Sequence, residues 1–214
     1  MSIYPPWDVR VVTPRLELVG ATDELVAELA PAVRSGKATA DPPPWDDPSS
    51  FYESDPDARV QGWLRGVWRG RGTLTPDRWR LYFVVVLDGE AVGMQDLIGD
   101  GFATFGTVES SSWISTDVRQ RGIGRECRSA ILHLAFEGLG AKEAHSEAAV
   151  GNVGSNRISE RLGYEPNGTS WATHQGTPVL GQRWRIDRQM WHERRRGDIT
   201  LTGVERCRAM LIGG

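Results

Sequence analysis

The sequence predicts an α+β fold built on one central mixed, mostly antiparallel sheet flanked by helices. Three observations carry that prediction. Trp79 to Leu87 is a run of strand length, apolar except for Arg80, Asp88-Gly89 is a strong hairpin turn, and Ala91 to Ile98 returns antiparallel. A further strand, Thr107 to Ser115, leads into a glycine-rich turn. An amphipathic segment from about Ile123 to Glu137 then follows, and a strand from Lys142 to Val150 comes after it.

The remaining elements follow in chain order. Thr13 to Val19 alternates apolar and polar residues and reads as a first strand ended by Gly20. Thr22 is a helix N-cap with Asp23 and Glu24 in the first turn; Leu25, Val26 and Leu29 form the apolar stripe, and Pro31 limits or kinks the helix. Ala38 to Pro56 is rich in Pro, Asp and Ser and reads as a loop, with Trp45 and Phe51 available to pack. A helix follows, with Trp63, Leu64, Val67 and Trp68 on one side. In the central helix Cys127, Ala130, Ile131, Leu134 and Ala135 keep helical spacing, and Gly138 and Gly140 end it. Ser155 to Leu162 is a short helix closed by Gly163. Thr169 to His174 and Arg183 to Met190 are strand-like, and the tail carries a last strand at Ile199 to Val204.

With 214 residues and 39% apolar content, the chain is read as one domain with a substantial core, residues 198–214 forming a C-terminal extension. A net charge of −3 gives no general attraction to nucleic acid or anionic membrane. No apolar run is long enough to cross a bilayer, and Met1 to Trp7 lacks the regions of a signal peptide, so a cytoplasmic protein is expected. Cys127 falls on the apolar side of its helix and reads as a buried thiol. His133, His145, His174 and His192 have no metal-ligand spacing, so no metal is expected.

The chemistry is carried first by Arg119-Gln-Arg-Gly-Ile-Gly-Arg125. A glycine-rich turn at a helix start exposes N–H groups that lack an intrahelical partner, and these, with the positive end of the helix dipole, bind phosphate. Gly122 and Gly124 allow close backbone approach, and Arg119, Arg121 and Arg125 add positive charge. The dinucleotide fingerprint and the Gly-Lys-Ser/Thr of a mononucleotide P-loop are both absent, which disfavours a nucleotide-phosphate hydrolase.

Arg119-x-x-Gly122-x-Gly124 resembles the acyl-coenzyme A loop of the GNAT superfamily of N-acyltransferases. The segment Asn152 to Tyr164 resembles that superfamily's Asn-x-x-Ser helix with its closing Gly-aromatic pair, and Thr13-Pro-Arg-Leu-Glu-Leu18 resembles the first strand of its ribosomal-protein N-terminal acetyltransferase branch. A closer likeness, to a mycobacterial GNAT succinyltransferase, rests on Pro44-Trp45, the strand Val108 to Trp113, and the tail with Val204 to Arg208.

The resemblance implies the GNAT fold and acyl transfer from acetyl- or succinyl-coenzyme A to a primary amine in a ternary complex. The acceptor would be a protein N-terminus, a lysine or a small amine. The pantetheine would run along Trp113, Ile114 and Ser115, and the pyrophosphate would sit on the N–H groups of Arg121, Gly122, Ile123, Gly124 and Arg125, with Arg119 beside them. Asn152 would bond the pantetheine; as a helix N-cap it has a structural role as well. Glu109 is the candidate base, and an ordinary edge-strand glutamate is the competing reading. Many members carry a Tyr one turn into the second helix, where this chain has Ile158 and Ser159, so Ser155 and Tyr164 compete as proton donors to the thiolate, with Ser155 preferred. The acceptor site is expected from the Pro42 to Phe51 loop, the helix with Trp63 and Trp68, and the strand near Trp171 to His174. The tail from Asp198 is expected to dock on a second subunit. The alternative from another class is a non-catalytic acyl-coenzyme A-binding or interaction module of the same fold.

Overall fold

The computed structural model describes residues 1–43 and 52–212. A nine-stranded sheet organises them, with spatial order β7-β8-β6-β5-β4-β3-β2-β1-β9. The strands are β1 Arg10–Val12, β2 Leu16–Gly20, β3 Arg78–Leu87, β4 Glu90–Asp100, β5 Thr107–Ile114, β6 Glu143–Ala149, β7 Glu165–His174, β8 Thr177–Asp187 and β9 Thr200–Thr202. The helices are α1 Asp23–Arg34, α2 Pro56–Gly72, α3 Phe102–Phe105, α4 Ile123–His133, α5 Val153–Leu162, α6 Arg188–His192 and α7 Val204–Ile212. Every adjacent pair of strands is antiparallel except β5–β6, which α4 connects as a parallel crossover. The α+β class expected from the sequence is the one observed.

From Leu81 to Leu87 β3 is an unbroken apolar run because both its faces are covered there. Leu81, Phe83 and Val85 pack with Ile123, Cys127 and Ile131 of α4. Tyr82 and Val84 pack on the other face with Val26 and Leu29 of α1 and Trp63 and Val67 of α2. Asp88 and Gly89, both at positive φ, close the β3–β4 hairpin.

Several boundaries differ from expectation. The first strand starts at Leu16, because Thr13-Pro14-Arg15 turn back onto the unexpected β1, with the Thr13 N–H bonded to the Leu16 carbonyl at 2.9 Å. Pro31 lies inside α1, on its exposed side, where the missing N–H leaves a carbonyl open to water. Gly138 sits within a π-turn, Leu134–Leu139, that prolongs α4, and Gly140 at φ 83° ends it. The two strand-like segments after Tyr164 are one long hairpin turning at Gln175-Gly176. Its second strand stops at Asp187, whose side chain caps α6 by accepting the Met190 N–H at 2.9 Å. Trp45 and Phe51 lie outside the described residues.

The tail, expected to be a strand, forms the short β9 and then a helix. Gly203, at φ 73° and too close to the Asp8 carbonyl to carry a side chain, makes the turn between them. β9 pairs with β1, while Val204, Cys207 and Leu211, at helical spacing, enter the core. The apolar side of the tail offered for a second subunit is therefore covered within its own chain. Cys127 and Cys207 are both free and buried; burial raises both thiols, that of Cys207 to about 12.

Candidate functional site

The site arises where the sheet splits. β5 and β6 pair only over Thr107–Glu109 against Glu143–His145. Beyond Glu109 and His145 they diverge, and the edge of β5 from Ser110 to Ile114 that faces β6 has no ladder partner among the described residues. β5 stays bound to β4 over Val108 to Ile114. A cleft of about 1010 Å³ opens in the gap, lined by Ser110 to Ile114 on one side and Glu147 to Ala149 on the other. An extended ligand entering there meets backbone groups of one strand that no neighbouring strand pairs, although the Ser111 and Ile114 carbonyls already accept from Gln95 Nε2 (2.7 Å) and Arg119 Nε (2.8 Å).

The glycine-rich turn stands at the open end. Gly122, at φ 80°, is the N-cap of α4 and brings no capping side chain. The first intrahelical bond runs from the Glu126 N–H to the Gly122 carbonyl at 3.1 Å. The N–H groups of Ile123, Gly124 and Arg125 precede it and are left to an outside acceptor. Arg119, Gly122, Gly124 and Arg125 line the cleft. The Arg121 side chain is exposed, the Ile123 side chain is in the core, and Ser115 is buried, its hydroxyl accepting the Asp117 N–H. Arg119 also braces the backbone. Its Nε donates to the Ile114 carbonyl (2.8 Å) and its Nη2 to the Thr39 carbonyl (2.6 Å), tying the loop after α1 to the end of β5.

Thr13 and Arg15 explain their place in the first motif. Both donate to the buried Glu126 in the first turn of α4, Thr13 Oγ1 at 2.7 Å and Arg15 Nε at 2.6 Å, and Arg15 Nη1 donates to the Arg121 carbonyl at 2.9 Å. This brace fixes the turn from behind. Burial raises the Glu126 pKa, but the bonds from Thr13 and Arg15 outweigh it and hold the carboxyl below its ordinary range. A depressed acid contributes stability above its unfolded pKa and loses it as pH falls through the folded value. Glu126→Gln is expected to lose about 2 kcal/mol near neutral pH, since Arg15 is half exposed and the pair is only partly desolvated. Urea melts should show that difference narrowing below the ordinary carboxylate range; a constant difference would refute the brace.

Strand alternation puts Glu109, Ser111 and Trp113 on the α1–α2 face, and Val108, Ser110 and Ile114 on the α4 face. Glu109 stands at the apex of the split, open to the cleft. Desolvation raises its pKa above the usual carboxylate range, and the neighbouring Glu147 adds to the rise, partly offset by His145, Arg80 and Arg183. Glu147 is held by the Ser170 hydroxyl. On the same face Arg80 grips Asp96 through Nε (2.9 Å) and Nη2 (2.5 Å), and Ser111 donates to the same carboxylate at 3.2 Å. Trp113 meets Trp63 edge to face at 6.3 Å, and His174 meets Tyr52 at 4.8 Å. Trp63 and His174 line the cleft, whereas Trp68 and Trp171 are 50% and 73% exposed and do not.

Asn152 caps α5 by accepting the Ser155 N–H at 3.1 Å, and both residues line the cleft. Tyr164 does not line it. It is buried in the α4-side core, where desolvation raises its pKa, with its hydroxyl beside Arg128 and Ser110. Sequence reasoning passes over Arg80, Asp96, Glu147 and Arg128. They lie on four different elements, and no local spacing joins them. The one available signal is Arg128 itself, a charged residue amid the apolar stripe of α4. No group of three or more His, Cys, Asp or Glu able to hold a metal occurs among the described residues, and no helix among them is long and apolar enough to cross a membrane.

Comparison with known proteins agrees with this geometry. The family model of the acetyltransferase (GNAT) domain matches residues 15–165. Among solved structures, the chain is similar to Mycobacterium smegmatis RimJ in complex with a coenzyme A disulfide, with TM-score 0.70 and 16% identity over 87% of this chain and 91% of that one. It is similar to RimL, an α-N-protein acetyltransferase of a ribosomal protein, in complex with coenzyme A (TM-score 0.65, 17% identity, 82% and 96% covered). A GCN5-related N-acetyltransferase from Brucella melitensis also matches (TM-score 0.62, 17% identity, 87% and 85% covered). At these identities the structural likeness speaks for the fold. The family match spans well over half of the chain, from Arg15 just before β2 through the split to just past α5, and the chain belongs to the GNAT acetyltransferase family.

Proposed function

We propose that this protein is a cytoplasmic N-acyltransferase that moves an acetyl or succinyl group from coenzyme A to a primary amine by direct attack. The observation that carries the reading is the split sheet with an open phosphate-type turn at one end and a carboxylate of raised pKa at the other. The donor's pyrophosphate lies on the N–H groups from Arg121 to Arg125. Its pantetheine runs along Trp113, Ile114 and Ser115 and bonds to Asn152. The thioester carbon thereby arrives at the apex, beside Glu109.

The acceptor enters from the α1–α2 face, between Trp63, Arg80 and His174. Glu109 takes a proton from the ammonium, directly or through water. The free amine attacks the carbonyl, the C–N bond forms and the C–S bond breaks. The departing thiolate takes a proton, for which Ser155 is the better placed donor because it borders the cleft and Tyr164 does not. Such chemistry asks mainly for proximity and charge placement. The chain acts as one unit, since one sheet includes both Arg10 and Thr202.

The test is turnover. Purified protein is incubated with acetyl- or succinyl-coenzyme A and a panel of α-amino peptides, lysine peptides and small amines, and released thiol is measured. Amine-dependent release supports the reading. Tight donor binding without release for any amine would favour the non-catalytic module instead.

A further inference from the structure

Arg128 projects from α4 toward the apex of the split and is 5% exposed. Its Nη1 donates to Ser146 Oγ at 2.7 Å, and its Nε is buried without an acceptor. No carboxylate pairs with it among the described residues. The Ser110 and Tyr164 hydroxyls beside it are likewise buried, with Tyr164 in loose hydrogen-bonding reach of both Ser110 and Arg128. Ser110 and Ser146 stand one residue past the last parallel pair, Glu109 with His145, so this group sits where β5 and β6 part. Ser110 and Arg128 open into the cleft. A buried guanidinium whose partners among the described residues are all neutral hydroxyls calls for an anion.

We propose that Arg128, with Ser110, Ser146 and Tyr164 around it, receives the free carboxylate of a dicarboxylic acyl group, so that the preferred donor is a succinyl-type rather than an acetyl-type thioester. The inference rests on the acyltransferase reading above, which sets the donor's direction. With the phosphates at the Gly122 turn, the acyl carbon reaches the apex, with Glu109 on one face and Arg128 on the other. The donor's phosphates are then at the far end and cannot neutralise Arg128. An anion arriving from the acceptor face would meet Glu109 and Glu147 first. An acetyl group brings no charge to the guanidinium; a carboxylate at the end of a four-carbon chain does, as a charge-assisted, bidentate partner.

The experiment compares succinyl- with butyryl-coenzyme A, which have four-carbon acyl chains with and without the charge, and uses coenzyme A as reference. Calorimetric affinities are measured for the wild type, Arg128→Leu and Arg128→Lys. The wild type is expected to prefer succinyl- over butyryl-coenzyme A by about 10- to 100-fold, Arg128→Leu to lose that ratio, and Arg128→Lys to keep part of it. A wild type that binds coenzyme A without telling the two thioesters apart overturns this inference and leaves the acyltransferase reading standing. So does an Arg128→Leu protein that keeps the preference. Failure to bind any of the three ligands overturns both. The wild-type comparison stands alone if Arg128→Leu does not fold.

Discussion

Glu109→Gln is expected to turn over about 100-fold more slowly at saturating donor, with coenzyme A affinity within about twofold of wild type. The amide keeps the side chain's shape and can still bond to the amine, but it cannot take its proton. The pH profile supplies the sign. A base works only when deprotonated, so wild-type kcat falls with acidification through the Glu109 pKa. Desolvation and the Glu147 carboxylate place that limb above the ordinary glutamate value of about 4.3. The limb should vanish in Glu109→Gln, leaving only the acceptor's own titration. Glu147→Gln should move it to lower pH, because one of the charges that raises the pKa is gone. A Glu109→Gln enzyme with wild-type turnover at every pH would remove Glu109 as the base.

Gly122→Glu should weaken coenzyme A binding by about 30-fold or more, since it places a negative charge where the donor's pyrophosphate needs the helix N-terminus. The backbone adds to the loss. Gly122 is at φ 80°, and a side chain there would begin 3.4 Å from Arg15 Nη2. Gly122→Ala separates the two causes: it carries the strain without the charge and is expected to lose only about threefold to fivefold. Equal losses in both variants would assign the effect to strain. Unchanged affinity in Gly122→Glu would remove the turn as the phosphate site. Titration calorimetry with coenzyme A reads all three outcomes.

Much of this molecule was legible along the chain because its signals are local. The β3–β4 hairpin, the α4 stripe, and the Asn152 and Gly122 caps each depend on residues within one or two turns of one another. The errors have physical causes as well. Pro31 was tolerated because it faces water, and Met190 left its strand because Asp187 captured its N–H. The tail helix was hidden by its length, its three core residues being meaningful only once the core they enter is known.

By itself, then, the sequence determined the α+β class, the glycine-rich turn, the helix caps and the side-chain alternation that puts Glu109 and Trp113 on one face. These follow from backbone sterics and short-range periodicity, which neighbouring residues dictate. The tertiary structure alone decided where the sheet splits. It decided that Thr13 and Arg15 brace the turn across more than a hundred residues, that Glu147 stands near Glu109, and that Arg128 is buried without a counter-ion among the described residues. Those are matters of desolvation and of charge across a shared cavity, and no spacing in one strand or helix encodes them.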